Sequence, residues 1–240
     1  MAVFQNIIIK ALLRIIIGII LIMVVLNIEA AVTTILQNYP DSILSGIWLK
    51  GLISFSAGMA VTLLLILLLS RGRLSSYGFR VPTNMPLLRI FLLGLGVGIV
   101  ANITAALLPG EGLTFMEDYP FLYIVIFVWI YRSIYEEILM RGLVQSFLSP
   151  LKEFGFVVYK VRISLPVLLS ALFFALIHIM LLTMGVDIFT VLGIVVFGFI
   201  LGIIAGYYRE LTDSLIPAVV VHALFNISGN IVESLIGIFR

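Results

Sequence analysis

Between residues 7 and 208 the chain is almost continuously apolar, divided into runs at 7–28, 43–70, 87–108, 119–148, 164–184 and 187–208. Two shorter runs follow near 213–226 and 230–239. A helix needs about 20 mostly apolar residues to cross a bilayer. The runs therefore predict an all-α polytopic integral membrane protein with about eight transmembrane helices. Composition agrees: 62% of residues are apolar and 11% charged, against roughly 25% charged in a soluble domain. With that many spans in 240 residues, no soluble domain fits beside them, and 1–240 reads as a single transmembrane domain. The first run is longer than the apolar core of a secretory signal and has no clear small-residue cleavage site after it. It is expected to stay as the first span.

Lysines and arginines gather on alternate sides of the runs, as cytoplasmic loops require. Lys10 and Arg14 lie near the N-terminus, Arg71, Arg73, Arg80 and Arg89 at the second loop, Lys152, Lys160 and Arg162 in the fourth, Arg209 in the sixth, and Arg240 at the end. The intervening loops are assigned Glu29, Asp41, Glu111, Glu117, Asp118 and Asp187, with Lys50 just inside a span. The N-terminus is expected to be cytoplasmic. Tyr77, Gly78, Phe79 and Arg80 precede Pro82 and Pro86, which interrupt a helix and predict a structured juxtamembrane turn. The net charge of +2 is scattered, without the basic stripe of a nucleic-acid surface, so no nucleic-acid partner is expected. With no cysteine, disulfides, thiolate metal sites and thiol nucleophiles are excluded.

Within the fourth run stand Glu136 and Glu137, with Arg141 one turn beyond. Charges inside a membrane are costly and are usually paired, water-facing or functional. Glu137 and Arg141 are spaced i, i+4 with the acid first, the favourable order for a helical ion pair. Glu136 points about 100° away around the helix and is left for other work. The alternative is that Arg132, four residues before Glu136, cancels it with a second bridge. The only two histidines, His178 and His222, also fall in spans, with Phe174 one turn before the first and Asn226 one turn after the second. Counted at 1.5 Å per residue from the shared membrane side, Glu136, His178, His222 and Asn226 lie about 20, 21, 14 and 20 Å deep. One polar site at that level can hold all four. Gly198, Gly202 and Gly206 share a helical face and predict a close packing seam, as do Gly94, Gly96 and Gly98.

A partly desolvated carboxylate can act as a general base toward water. An Asn amide and a His N–H can meet a developing oxyanion. Two histidines and a glutamate are also a familiar zinc set, and Glu136, His178 and His222 could supply it. Their spacing is not the compact H-E-x-x-H arrangement, which leaves the metal open.

Glu136 to Gly142 resembles the E-E-x-x-x-R-G motif of the CPBP membrane proteins, the Abi or CAAX protease family. Phe174 to His178 is similar to that family's F-x-x-x-H motif, and His222 to Asn226 to its H-x-x-x-N motif. Three motifs in order, each on its own span within 119–240, make the resemblance specific, and Tyr77 to Arg80 is similar to a juxtamembrane turn of relatives. The resemblance implies an intramembrane endopeptidase of the CAAX-protease type that cuts a prenylated or membrane-associated peptide. It implies that Glu136 activates water with help from His178, that His222 and Asn226 stabilise the oxyanion, and that Glu137 and Arg141 form a structural pair beside Phe174. It favours chemistry without a cofactor, with zinc as the rival. It implies a lipidated or membrane-borne peptide as the partner, and a multi-pass protein of a prokaryotic plasma membrane. A non-catalytic membrane partner, such as a bacteriocin-immunity or regulatory protein, is the competing reading. A proton-coupled transporter is disfavoured because no internal repeat is visible.

Overall fold

The computed structural model describes residues 2–38, 46–113 and 119–238, with side chains over 8–38, 48–113 and 119–229. The expected positions of Asp41, Glu117, Asp118 and Arg240 lie outside the described residues. Helices dominate: α1 (Ala2–Gln37), α2 (Gly46–Ser70), α3 (Leu87–Leu107), a long helical rod over 121–147, α6 (Leu165–Ile177), α7 (Ile188–Thr212) and α8 (Ile216–Ile238). Among the described residues, five helices are each long and apolar enough to cross a membrane, at Ile8–Gln37, Trp48–Ser70, Leu87–Leu107, Leu165–Met184 and Ile188–Thr212.

Three features differ from the sequence reading. The two short C-terminal runs are one helix, α8, because nothing in 226–230 breaks it. Ser228 faces α3, where a side chain on Gly98 would collide with its hydroxyl. The fourth loop holds a two-stranded antiparallel hairpin, β1 (Gly155–Val158) and β2 (Val161–Ser164), so the fold is mostly but not wholly helical. β-branched Val157, Val158, Val161 and Ile163 favour extended pairing there. Finally, α1 runs past residue 28 to Gln37, since no glycine or proline stops it, and this draws Glu29 out of the expected loop and into a helix.

The rod over 121–147, called the glutamate helix below, alternates in winding: α4 (Phe121–Tyr123), π-helical Ile124–Tyr131, α5 (Arg132–Glu137) and π-helical Ile138–Gln145. Every residue from Ile138 to Gln145 is buried, as expected of a helix enclosed on all sides. Leu139, Met140, Leu143 and Val144 pack with Val25 of α1, Ile66 of α2, Ile90 of α3, Phe174 of α6, Leu201 of α7 and Val221 of α8. The carboxylates are thus carried by the central helix.

Small residues bring the surrounding helices close. On α7, a Cβ at Gly202 would lie 2.8 Å from Ala171, and one at Gly206 3.0 Å from the Gln145 amide. On α3, a Cβ at Gly94 would lie 2.9 Å from the Val221 carbonyl oxygen. Gly96 faces open space and serves no such contact. The juxtamembrane turn is a 3-10 segment, Leu74–Tyr77, closed by Gly78 at φ 91°. Gly78 accepts a bond from the Leu215 N–H at 3.0 Å. The buried Arg209 donates across this junction to Ser146 Oγ at 3.1 Å and to the Ser76 carbonyl at 3.4 Å.

At the opposite end, Asp187 caps α7, accepting from the Phe189 and Thr190 N–H groups at 2.9 and 3.0 Å. It also accepts from the Thr190 hydroxyl at 2.6 Å and from the Glu111 N–H at 3.0 Å. These donors, the Thr190 hydroxyl foremost, hold its carboxyl down to about 2. A lowered folded pKa stabilises the fold above the unfolded value near 3.9 and ceases to do so as pH falls through about 2. We expect a loss of thermal stability in detergent between about pH 4 and pH 2 that is smaller in Asp187→Asn. The same acid profile in that variant would assign the loss elsewhere.

Candidate active site

The glutamates diverge as their spacing demands. Glu137 is fully buried, and its Oε1 accepts from Arg141 Nη1 at 3.0 Å and from His222 Nδ1 at 2.8 Å. Arg141, equally buried, lays its guanidinium 4.9 Å from the centre of the Phe174 ring. Its charge is met by a carboxylate at the end and by a π face on the side.

Glu136 is the acid nearer the open surface, with 9% of its side chain exposed. Its Oε1 accepts from Arg132 Nε at 2.6 Å, so the second bridge that the spacing allowed is formed. Arg132 itself stays 46% exposed and lies over the Phe55 ring of α2, 5.6 Å from its centre. Glu136 Oε2 faces His222 Nε2 at 3.6 Å, too far for a hydrogen bond. One imidazole therefore addresses both acids, Glu137 through a short hydrogen bond and Glu136 across a gap.

The other residues gather around this pair. α6 starts at Ser164, whose hydroxyl accepts from Val167 N–H with Pro166 in the first turn. The helix tightens at its end into the 3-10 segment His178–Met184, stopped by Gly185 at φ 84°. His178 Nδ1 lies 2.8 Å from the Phe174 carbonyl. A carbonyl can only accept, so Nδ1 carries a proton and the neutral ring keeps its lone pair on Nε2. Phe174 meets both imidazoles edge-on, with centroids 5.0 Å from His178 and 5.5 Å from His222.

Asn226 sits elsewhere in the cluster. Its Nδ2 donates to Ser133 Oγ at 2.9 Å, and Ser133 in turn donates to the Trp129 carbonyl at 2.5 Å. One of the two amide hydrogens of Asn226 is thereby used. The structure thus joins Glu136, Glu137, Arg141, His222 and Phe174 directly, attaches His178 through Phe174, and ties Asn226 to the glutamate helix one turn before Glu137. Glu136, His178 and His222 do not converge as a metal-holding group, and no three His, Cys, Asp or Glu side chains do so among the described residues.

Three participants were not singled out from the sequence. Ser133 stands four residues before Glu137, on a face that helical spacing could have identified. Tyr135 and Glu29 meet through a hydrogen bond of 2.7 Å across 106 positions, and no local pattern announces it.

The fold and site define a polytopic helical membrane protein with a buried carboxylate–imidazole cluster on its central helix. Residues 118–228 match the family model described as type II CAAX prenyl endopeptidase Rce1-like. That match covers the region that carries all three motifs. No curated protein and no solved structure matches the chain.

Proposed function

We propose that the chain is an intramembrane endopeptidase in which Glu136 activates water to hydrolyse a peptide bond of a prenylated or membrane-associated substrate. The observation that carries this reading is His222, clamped by Glu137 at 2.8 Å and aimed at Glu136 across 3.6 Å. A base beside an imidazole that a third group orients is the recurring arrangement of hydrolytic sites. Glu136 takes a proton from water, and the hydroxide attacks the substrate carbonyl carbon. His222 and the remaining Asn226 amide hydrogen meet the oxyanion. Glu136 then returns the proton to the leaving amine as the carbon–nitrogen bond breaks. His178 helps to hold the water, through Nε2.

Residues 1–240 act as one transmembrane domain in this reading, with the arginine- and lysine-rich ends, and hence the N-terminus, in the cytoplasm of a prokaryotic cell. No metal takes part. The Arg132–Glu136 bridge, which neutralises the acid, favours the competing reading of a non-catalytic membrane partner.

Incubating purified protein with a farnesylated CAAX peptide, with and without a strong chelator, separates these readings. We expect cleavage that the chelator leaves intact. No cleavage of this or of a transmembrane test peptide would support the non-catalytic partner, and loss of cleavage on chelation would replace the glutamate mechanism with a metal one.

A further inference from the structure

Glu29 is a carboxylate inside the apolar span Ile8–Gln37, a placement that calls for a partner or a task. It lies outside the matched region 118–228. Its partner is Tyr135, the residue before Glu136, whose hydroxyl donates to Glu29 Oε2 at 2.7 Å. α2 comes close here because Gly58 has no side chain: a Cβ there would collide with the Tyr135 hydroxyl and stand 3.1 Å from Glu29 Oε2. One turn earlier on α2, Phe55 carries the Arg132 guanidinium on its ring. Arg132 interacts electrostatically with Glu29 as well as with Glu136. A half-exposed cation bonded to Glu136 is therefore within electrostatic reach of a second carboxylate, Glu29, which lies outside the hydrolytic cluster.

That arrangement bears on a difficulty in the proposed mechanism. While Arg132 Nε holds Glu136 Oε1 at 2.6 Å, only Oε2 is left to take a proton from water. Drawing the guanidinium aside would free the whole carboxylate, provided that the cation is not stranded in the membrane. Glu29 spends one oxygen on Tyr135 and can offer the other.

We infer that Glu29 is a positioning residue, the alternate seat for Arg132, and that transfer of the guanidinium from Glu136 to Glu29 frees Glu136 to act on water. The inference deepens the proposed function and rests on it only for its kinetic consequence. Arg132 turns about its own stem, α1 and α2 stay in place, and the cation remains paired in either position.

The test compares the full-length protein in detergent with Glu29→Gln, Arg132→Gln and the double variant. Glutamine still accepts the Tyr135 hydrogen bond, so the contact between α1 and the glutamate helix persists while the charge is removed. The first readout is modification of Glu136 by a hydrophobic carbodiimide, quantified by peptide mass spectrometry, which needs no substrate. With its alternate seat gone, Arg132 stays on Glu136, and labelling falls about fivefold in Glu29→Gln, the scale of coupling between neighbouring charges. Arg132→Gln raises labelling above wild type, and the double variant matches Arg132→Gln. Glu29→Asp, which keeps a carboxylate, recovers most of the labelling.

The second readout is cleavage of the farnesylated peptide, where Glu29→Gln lowers kcat with KM unchanged and Arg132→Gln suppresses that loss. Wild-type labelling in Glu29→Gln, or an equal loss with and without Arg132, would overturn the inference. Absence of cleavage by the wild-type protein would instead count against the proposed function, with the labelling result still deciding the role of Glu29.

Discussion

Glu136→Gln is expected to reduce peptide cleavage by about 10²–10⁴-fold, the usual contribution of a general base. Glutamine has nearly the same size, and its carbonyl oxygen can still accept from Arg132, so the bridge at 2.6 Å retains a neutral counterpart. What it cannot do is accept and return a proton. The loss should fall on kcat with KM nearly unchanged, because water activation belongs to the transition state. Single-turnover cleavage of the farnesylated peptide by purified protein measures it. Turnover within roughly threefold of wild type would remove Glu136 from the chemistry. Glu137→Gln makes a useful contrast: it loosens the hold on His222 and Arg141 together, so its effect should divide between activity and stability.

Arg141→Ala is expected to cost about 3–5 kcal/mol of stability, the range for removing one member of a buried ion pair. Both side chains of the Arg141–Glu137 pair are fully buried. Without the arginine, Glu137 keeps only the His222 bond on Oε1, and the Phe174 ring loses the guanidinium on its face. Arg141→Lys should lie between wild type and Arg141→Ala, since an ammonium carries the charge without the flat surface that stacks on an aromatic ring. A Glu137→Gln, Arg141→Met double variant should be less damaged than Arg141→Ala, because no carboxylate is stranded. Thermal unfolding in detergent ranks the four proteins. A wild-type midpoint for Arg141→Ala would mean the pair carries little of the fold.

Local helical geometry made part of this site readable in advance. The i, i+4 spacing assigned Arg141 to Glu137, and counting along the spans brought Glu136, His178, His222 and Asn226 to a similar level. The same spacing left Arg132 undecided, because Arg132–Glu136 is also i, i+4 but has the base first, the weaker order. The deciding contact is the Phe55 ring of another helix, which seats the guanidinium beside Glu136. Asn226 was expected to share one polar site with Glu136 and the two histidines, and Ser133, a small hydroxyl, captures one of its donors. Glu29 was read as a loop charge because the first apolar run was taken to end at residue 28. Its partner inside the span is a tyrosine hydroxyl 106 residues away, a relation no window of sequence contains. Likewise, the gap expected between the runs 213–226 and 230–239 contains Ser228 and Gly229, which the structure places inside one helix against α3.

Gly202 has a consequence for anyone who would engineer this protein. Exchanging a helical glycine for alanine usually stabilises by restricting the unfolded chain, provided that the native backbone tolerates the methyl. At Gly202 the methyl would press on Ala171 at 2.8 Å and reach within 3.2 Å of Arg141 Nη2. The seam between α6 and α7 is thus also one wall of the arginine's berth. Thickening that wall would move the cation that holds Glu137, and Glu137 is what aims His222. A change meant only to tighten two helices would therefore be transmitted, through three side chains, to the distance between an imidazole and Glu136.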